Sequence, residues 1–276
     1  LKILARKGVP VRVWPRAPNL IMKKFHFVFD VTKKSKQLKN IIYRKNKNLS
    51  IKKSDVIVVG GGDGFMLRTM KKYYKFNKPF YGINCGSVGF LLNKYVTKKI
   101  STRVKKAKIT LIYPLQVKAI SKGKKNSSFL AINELSLLRQ SKQTSSLQLK
   151  ANKKTLIKKL VGDGLLLSTP AGSTAYNLSV NGPILSLHSK KLAITPISPF
   201  RPRRWKGRII SDKISVNIKN LDPKKRPVAA VADNNEIRNI ISVKASINKK
   251  IKFKLLFNSG ESLFKKIKSE QKRKIN

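Results

Sequence analysis

The sequence predicts an α/β domain followed by a β-rich, sandwich-like domain. Three observations carry that prediction. From Phe25 to about residue 100, apolar strand-like runs alternate with helix-like segments, which implies parallel strands joined by helical crossovers. A lysine-rich stretch, 98–108, interrupts the alternation. Beyond it, short apolar and β-branched runs are separated by polar turns, the texture of packed antiparallel sheets.

Taken in order, residues 1–21 are basic and acid-free with three prolines, and they read as an extension outside the fold. Met22 then opens "MKKFHFVFD", in which Phe25–Phe29 is strand-like, and the fold is expected to begin there. A lysine-rich helix is expected over 34–47, a β-branched strand at "DVIVV" (55–59), a helix at "FMLRTMKKYY" (65–74) and a strand at "PFYGIN" (79–84). The runs "LIYPLQVKAI", "SFLAINELSLL", "KISVNI", "EIRNIISVKA" and "KIKFKLLF" are each expected in the sheets of the second domain. One helix is expected between them, from Ser173 to Ser186, and an amphipathic helix or frayed tail closes the chain.

Composition narrows the class. Hydrophobic residues make up 41% of 276 residues, enough for a globular core and too much for a disordered chain. No apolar run approaches the roughly 20 residues of a bilayer span, so no membrane partner is expected. A lone cysteine, Cys85, permits no internal disulfide and fits a reducing, cytoplasmic compartment. Two histidines are too few for a His-rich metal centre, so no protein-only metal site is expected. The formal charge of +52 attracts polyanions. Its lysines are spread along the chain, however, so any nucleic-acid binding should be non-specific. Only eleven acids stand against sixty-three cations, which makes each carboxylate informative.

Four stretches concentrate that information. In "VVGGGDGFML" (58–67) a buried strand runs through three glycines into Asp63 and a helix. Bare glycine backbone and a helix start suit a phosphate; alternatively Asp63 simply caps the helix. It is neither a P-loop nor a dinucleotide fingerprint. In "YGINCGSVGFLLN" (81–93) a second strand ends in glycine-rich turn residues, and α/β sheets bind ligands at the carboxyl ends of their strands. In "AINELSLLR" (131–139) Asn133 and Glu134 interrupt an apolar strand. A charge there is costly unless paired or used; alternatively Glu134 simply faces solvent on an alternating strand, and two adjacent residues serve one ligand only near a bend or strand end. Finally, "DGLLLSTPAGSTAYNLSVNGPIL" (163–185) is far longer than helix capping needs.

Together, "GGDG" at 61–64, "NCGSVGF" at 84–90, "NE" at 133–134 and the 163–185 string resemble bacterial NAD kinase over roughly Met22 to Phe264. "TPISPFRPRRWKGR" (195–208) and "KRPVAAVAD" (225–233) resemble its α-proteobacterial branch. The resemblance implies ATP-dependent phosphorylation of the 2′-hydroxyl of the adenosine ribose of NAD, with Mg²⁺ accompanying ATP. It implies an α/β domain over 22–100, a β-rich NAD-binding domain over 101–257, and a segment over 258–276 returning to the first. It makes Asp63 the catalytic carboxylate, with Gly61, Gly62 and Gly64 framing the phosphates. Asp63 and Gly64 also border NAD. Asn133 and Glu134 hold ribose hydroxyls, Thr174, Ala175 and Tyr176 line the adenine pocket, and Phe90 forms an apolar wall. Asp163 reaches a neighbouring subunit's ligand, so a homo-oligomer, dimer or tetramer, is implied. Two departures stand out: Phe65 replaces a frequent threonine, and the alignment at Asp233 is loose. Lipid or sphingoid kinases share GGDG but not "STPAGSTAY". A basic nucleic-acid-binding protein on an inactive kinase scaffold would rest on charge alone.

Overall fold

The computed structural model describes residues 24–260 together with Lys266 and Ile267. The extension 1–21, the proposed start at Met22 and most of the closing tail lie outside the described residues.

The first part of the chain gives β1 (Phe25–Phe29), α1 (Lys33–Tyr43), β2 (Val56–Gly61), α2 (Asp63–Tyr73), β3 (Phe80–Asn84), α3 (Ile100–Lys106) and β4 (Lys108–Ile112). There follow β5 (Leu115–Ser121), β6 (Asn126–Ala131), β7 (Glu134–Arg139), β8 (Ser145–Ala151), β9 (Lys154–Gly162) and β10 (Gly164–Ser168). A short helix α4 (Tyr176–Ser179) precedes β11 (Lys191–Ile197), β12 (Arg208–Ser211), β13 (Val216–Asn220), β14 (Val228–Ala232), β15 (Asn235–Ile237), β16 (Ile240–Ile247) and β17 (Phe253–Phe257).

Three sheets result. The first has the order β1-β2-β3-β17-β4, parallel from β1 to β17. Every residue of β2 is buried, as a central parallel strand covered on both faces requires. One face carries Phe27, Leu38, Ile42 and Val58; the other carries Val59, Met66, Met70 and Phe80. The second sheet, β12-β11-β10-β7-β14-β15, and the third, β6-β5-β16-β13-β8-β9, are antiparallel. They share one apolar core that includes Leu115, Leu137, Leu149, Leu165 and Ile194. β5 alternates buried and exposed positions, the period-2 signature of a sheet with one wet face.

The expected α/β region followed by a β-rich region of antiparallel sheets is observed, with three corrections. "LIYPLQVKAI" is two strands in two different sheets, because Pro114 offers no N–H to continue a ladder. The return to the first sheet is made by β17, which the sequence reading left in the second domain, and β4 belongs with it. The helix expected over 173–186 contracts to α4, because Asn181 turns left-handed (φ 60°) and Gly182-Pro183 cannot continue it. No helix among the described residues is long and apolar enough to cross a membrane.

Candidate active site

The glycines between β2 and α2 divide by what surrounds them. A Cβ on Gly61 would lie 2.6 Å from Phe65 Cδ1, so this glycine, still within β2, makes room for packing. A Cβ on Gly62 or Gly64 would meet nothing within 4 Å. The open edge of the loop is thus formed by Gly62 and Gly64, and Gly61 backs it. Gly62 is the N-cap of α2 in extended conformation and supplies no side chain to cap it. The first N–H groups of a helix have no intrahelical acceptor, so this end of α2 presents donors and the positive end of the helix dipole.

Asp63 does not cap its own helix. Its Oδ2 accepts from Phe90 N at 2.7 Å and its Oδ1 from Leu91 N at 3.0 Å. The carboxylate therefore clamps the second glycine-rich turn against the start of α2, and Cys85 N donates to Gly61 O at 2.9 Å beside it. Burial pushes the Asp63 carboxyl above the ordinary range, opposed by the two backbone N–H groups and by the charge of Lys266. Lys266 in turn donates to Phe90 O at 3.1 Å and to Leu92 O. Phe90 is half-buried on this turn. Cys85 itself is buried, and burial raises its thiol, the state of a packing residue without chemistry.

Asn133 and Glu134 lie where β6 ends and β7 begins, so they stand at a strand break as the pair requires. Asp233 fills that break. Its Oδ2 accepts from Ile132 N at 2.8 Å, and its Oδ1 accepts from Asn133 N at 2.8 Å and Glu134 N at 3.4 Å. Its side chain is 2% exposed and pairs with Lys71 Nζ at 2.7 Å. Asn133 Oδ1 and Glu134 Oε2 are buried and meet no hydrogen-bond partner among the described residues. Such atoms are rare in folded proteins and need an explanation. Burial, with a smaller contribution from nearby Asp233, pushes the Glu134 carboxyl up to about 8.

The long hydroxyl-rich string braces this pair. Thr169 Oγ1 donates to Ile132 O at 2.7 Å, and Thr169 N donates to Asn133 O at 2.9 Å. A Cβ on Gly172 would lie 2.2 Å from Asn133 O, so only glycine lets the turn lie against that peptide. Ser173 Oγ accepts from Leu185 N at 3.0 Å, and Asn177 Oδ1 accepts from Thr195 Oγ1 at 2.7 Å. The string is a hydrogen-bonded knot behind Asn133, which is why it is longer than a cap. Thr174 is buried within it, Ala175 half-buried, and the Tyr176 side chain exposed.

Ile132 and Ala171 pack in the same apolar cluster as Met66, Leu67 and Leu91. That cluster joins the part of the chain that carries Asp63 to the β-rich part that carries Asn133. Asp163 is not brought there. β10 pairs with β7 so that Ser168 faces Glu134 while Gly164 faces Leu138, which leaves Asp163 beyond the far end of the strand, half-exposed and bonded to Arg139 Nε at 2.5 Å.

One residue of this arrangement escapes the sequence and a second, Asp233, is reached there only through a loose alignment. Lys71 is one of sixty-three cations and carries no local mark. Asp233 could have been found by the scarcity of acids, since a carboxylate in an apolar "VAAVAD" run needs a reason. Among the described residues no group of three or more His, Cys, Asp or Glu could hold a metal ion. A concavity of about 600 Å³ lies elsewhere, on the solvent face of the third sheet, lined in part by Lys118, Lys150, Lys219 and Lys244.

Comparison with known proteins bears on this geometry. The family model of the ATP-NAD kinase C-terminal domain matches residues 132–250. The NAD kinase of Zymomonas mobilis is 43% identical over 223 residues, covering 80% of this chain and 86% of the relative. That of Brucella suis is 41% identical over 246 residues, covering 89% and 96%. The fold is also that of an NAD kinase from Archaeoglobus fulgidus, solved in complex with ATP, at a TM-score of 0.71 and 22% identity, covering 89% of this chain and 98% of that one.

Proposed function

The chain belongs to the NAD kinase family, and we propose that it moves the γ-phosphoryl group of ATP to the 2′-hydroxyl of the adenosine ribose of NAD, giving NADP and ADP. The observation that carries the ribose assignment is the pair of buried, unpartnered acceptors, Asn133 Oδ1 and Glu134 Oε2, at a strand break beside α2. Ribose hydroxyls are the donors such atoms lack.

Each residue then has a task. The N–H groups at the start of α2, bordered by the open edges of Gly62 and Gly64, receive the transferring phosphate. Asp63, with each oxygen fixed by one backbone N–H, keeps a lone pair free to accept the proton of the 2′-hydroxyl. The hydroxyl oxygen attacks the γ-phosphorus, the bond to the β,γ-bridging oxygen breaks, and ADP leaves. A raised carboxyl is a stronger base than an exposed one, and positioning with charge neutralisation supplies the rest. Glu134, protonated near neutral pH, keeps one oxygen as an acceptor for a ribose hydroxyl and donates its proton to a second ribose oxygen. Thr174, Ala175 and Tyr176 line the adenine pocket, with Phe90 as a wall.

Mg²⁺ fits this set only as a companion of ATP, because it keeps waters and takes one or two carboxylates plus phosphates. Asp63 is the carboxylate that would hold it, and the ion would neutralise phosphate charge. Asp163, on the far edge, is available to a neighbouring subunit, so the active assembly is at least a dimer. The test is direct: the full chain with NAD, ATP and Mg²⁺ should yield NADP, read by an NADP-specific dehydrogenase, and should yield no phosphorylated lipid when diacylglycerol replaces NAD. Phosphorylated lipid without NADP would replace this reading.

A further inference from the structure

α2 is one helix of eleven residues whose first residue is Asp63. Lys71 lies eight residues further on, about 12 Å along a rigid axis. Its ammonium spans the domain boundary to Asp233 Oδ2 at 2.7 Å and to Ala232 O at 3.5 Å. The Asp233 carboxylate that receives it also receives Ile132 N, Asn133 N and Glu134 N. Asp233 adopts the left-handed region (φ 53°) between β14 and β15, a conformation Asp tolerates better than most residues and one that turns its carboxylate onto three successive N–H groups. A continuous path therefore runs from Asp63 along the helix to Lys71, through Asp233, to the peptides carrying Asn133 and Glu134.

Resting on the reading of the site as one that phosphorylates NAD, we propose that Lys71 is a positioning residue. Its ion pair with Asp233 fixes the separation between the Asp63 carboxylate and the ribose-holding pair. Lys72, the next residue, provides the contrast: its ammonium lies 5.4 Å from the centre of the Tyr73 ring on its own helix and crosses no boundary. The Lys71 side chain is 17% exposed and Asp233 is 2% exposed, so this pair escapes most of the solvent screening that makes surface pairs weak. Losing it lets two otherwise intact halves of the site drift, and a misplacement of about 1 Å can lower catalysis by roughly 10²-fold. The binding of ATP at the start of α2 does not depend on where Asn133 stands, so the effect should fall on NAD.

The experiment is steady-state kinetics of the full chain, varying NAD and ATP separately, for the parent, Lys71→Met, Lys71→Gln and Lys72→Met. Lys71→Met should lower kcat/KM for NAD about 10- to 10²-fold, with the KM for ATP within about twofold and Lys72→Met like the parent. Lys71→Gln retains a donor facing Asp233, spares the fold, and should show the same pattern at smaller amplitude; it decides the matter if Lys71→Met is insoluble. An active parent whose folded Lys71 variants match it in NAD kinetics, even with a lowered urea midpoint, would reduce Lys71 to a structural tie and overturn the proposal. A KM for ATP that rises well beyond about twofold, together with the KM for NAD, would overturn it too. A parent that makes no NADP would instead bring down the underlying reading, and the proposal with it.

Discussion

Between β2 and α2 the chain removes side chains, whereas between β6 and β7 it buries them. The first region leaves Gly62 and Gly64 facing open space and lets a helix start supply the polar groups. The second holds Asn133 Oδ1, Glu134 Oε2 and the Asp233 carboxylate out of water and backs them with a knot of hydroxyl and amide bonds from Thr169 to Thr195. The contrast follows from what each side would meet. A phosphate is recognised by charge and by N–H groups that any sequence carries, so the sequence need only stand aside. A sugar is recognised by placed acceptors and donors, and these must be fixed before the sugar arrives. Asp63 belongs to the first region by sequence and, in the proposed function, to the chemistry of both.

The largest effect should come from removing that shared carboxylate. Asp63→Asn keeps the size of the side chain but has one acceptor oxygen for two backbone donors, Phe90 N and Leu91 N. It should fold, with its unfolding free energy in urea lowered by about 1–3 kcal/mol for the unsatisfied group. Turnover should fall by roughly 10²–10⁴, the usual share of a positioned base. NAD binding, followed by calorimetry, should change little. Turnover near that of the parent would leave Asp63 only the task of clamping the turn.

A smaller effect tests the buried side of the comparison. Glu134 ionises near 8 in the folded chain against 4.5 ordinarily, so the folded state holds a proton that the unfolded state has released. Its contribution is full below about 4.5 and is lost as pH rises towards 8, by at most about 1.4 kcal/mol per pH unit. The urea midpoint of the parent should therefore drop between pH 5.5 and pH 8 more than that of Glu134→Gln. Parallel profiles for the two proteins would mean that Glu134 is already ionised and solvated.

Much of this was legible in the sequence for a physical reason. A central parallel strand is an unbroken apolar run, and "VIVV" before the glycines could be little else. Scarcity of acids marked Asp63 and Glu134, and Asn133 stood out because a polar group in an apolar strand must be used or satisfied. The place of β17 was hidden, since Phe253–Phe257 reads like any sandwich strand and its pairing with β3 joins residues at opposite ends of the chain. The division of glycines into Gly61 behind the loop and Gly62 and Gly64 on its open edge depends on neighbours such as Phe65 that local spacing does not reveal. Lys71 was invisible because a functional ammonium and a solvated one have the same letter.

The measurement that most directly tests the division of labour between the two regions is a pair of substrate titrations on Gly62→Ala and Asn133→Ala. A methyl on Gly62 intrudes only on the open edge of the glycine loop, and Asn133→Ala removes the carboxamide whose Oδ1 is the unpartnered acceptor at the strand break. Gly62→Ala should raise the KM for ATP about tenfold with the KM for NAD within about twofold, and Asn133→Ala should do the reverse, as losing a hydrogen bond of about 1.4 kcal/mol implies. If both variants raise both constants alike, the two regions are not separate donor and acceptor sides, and the account is contradicted.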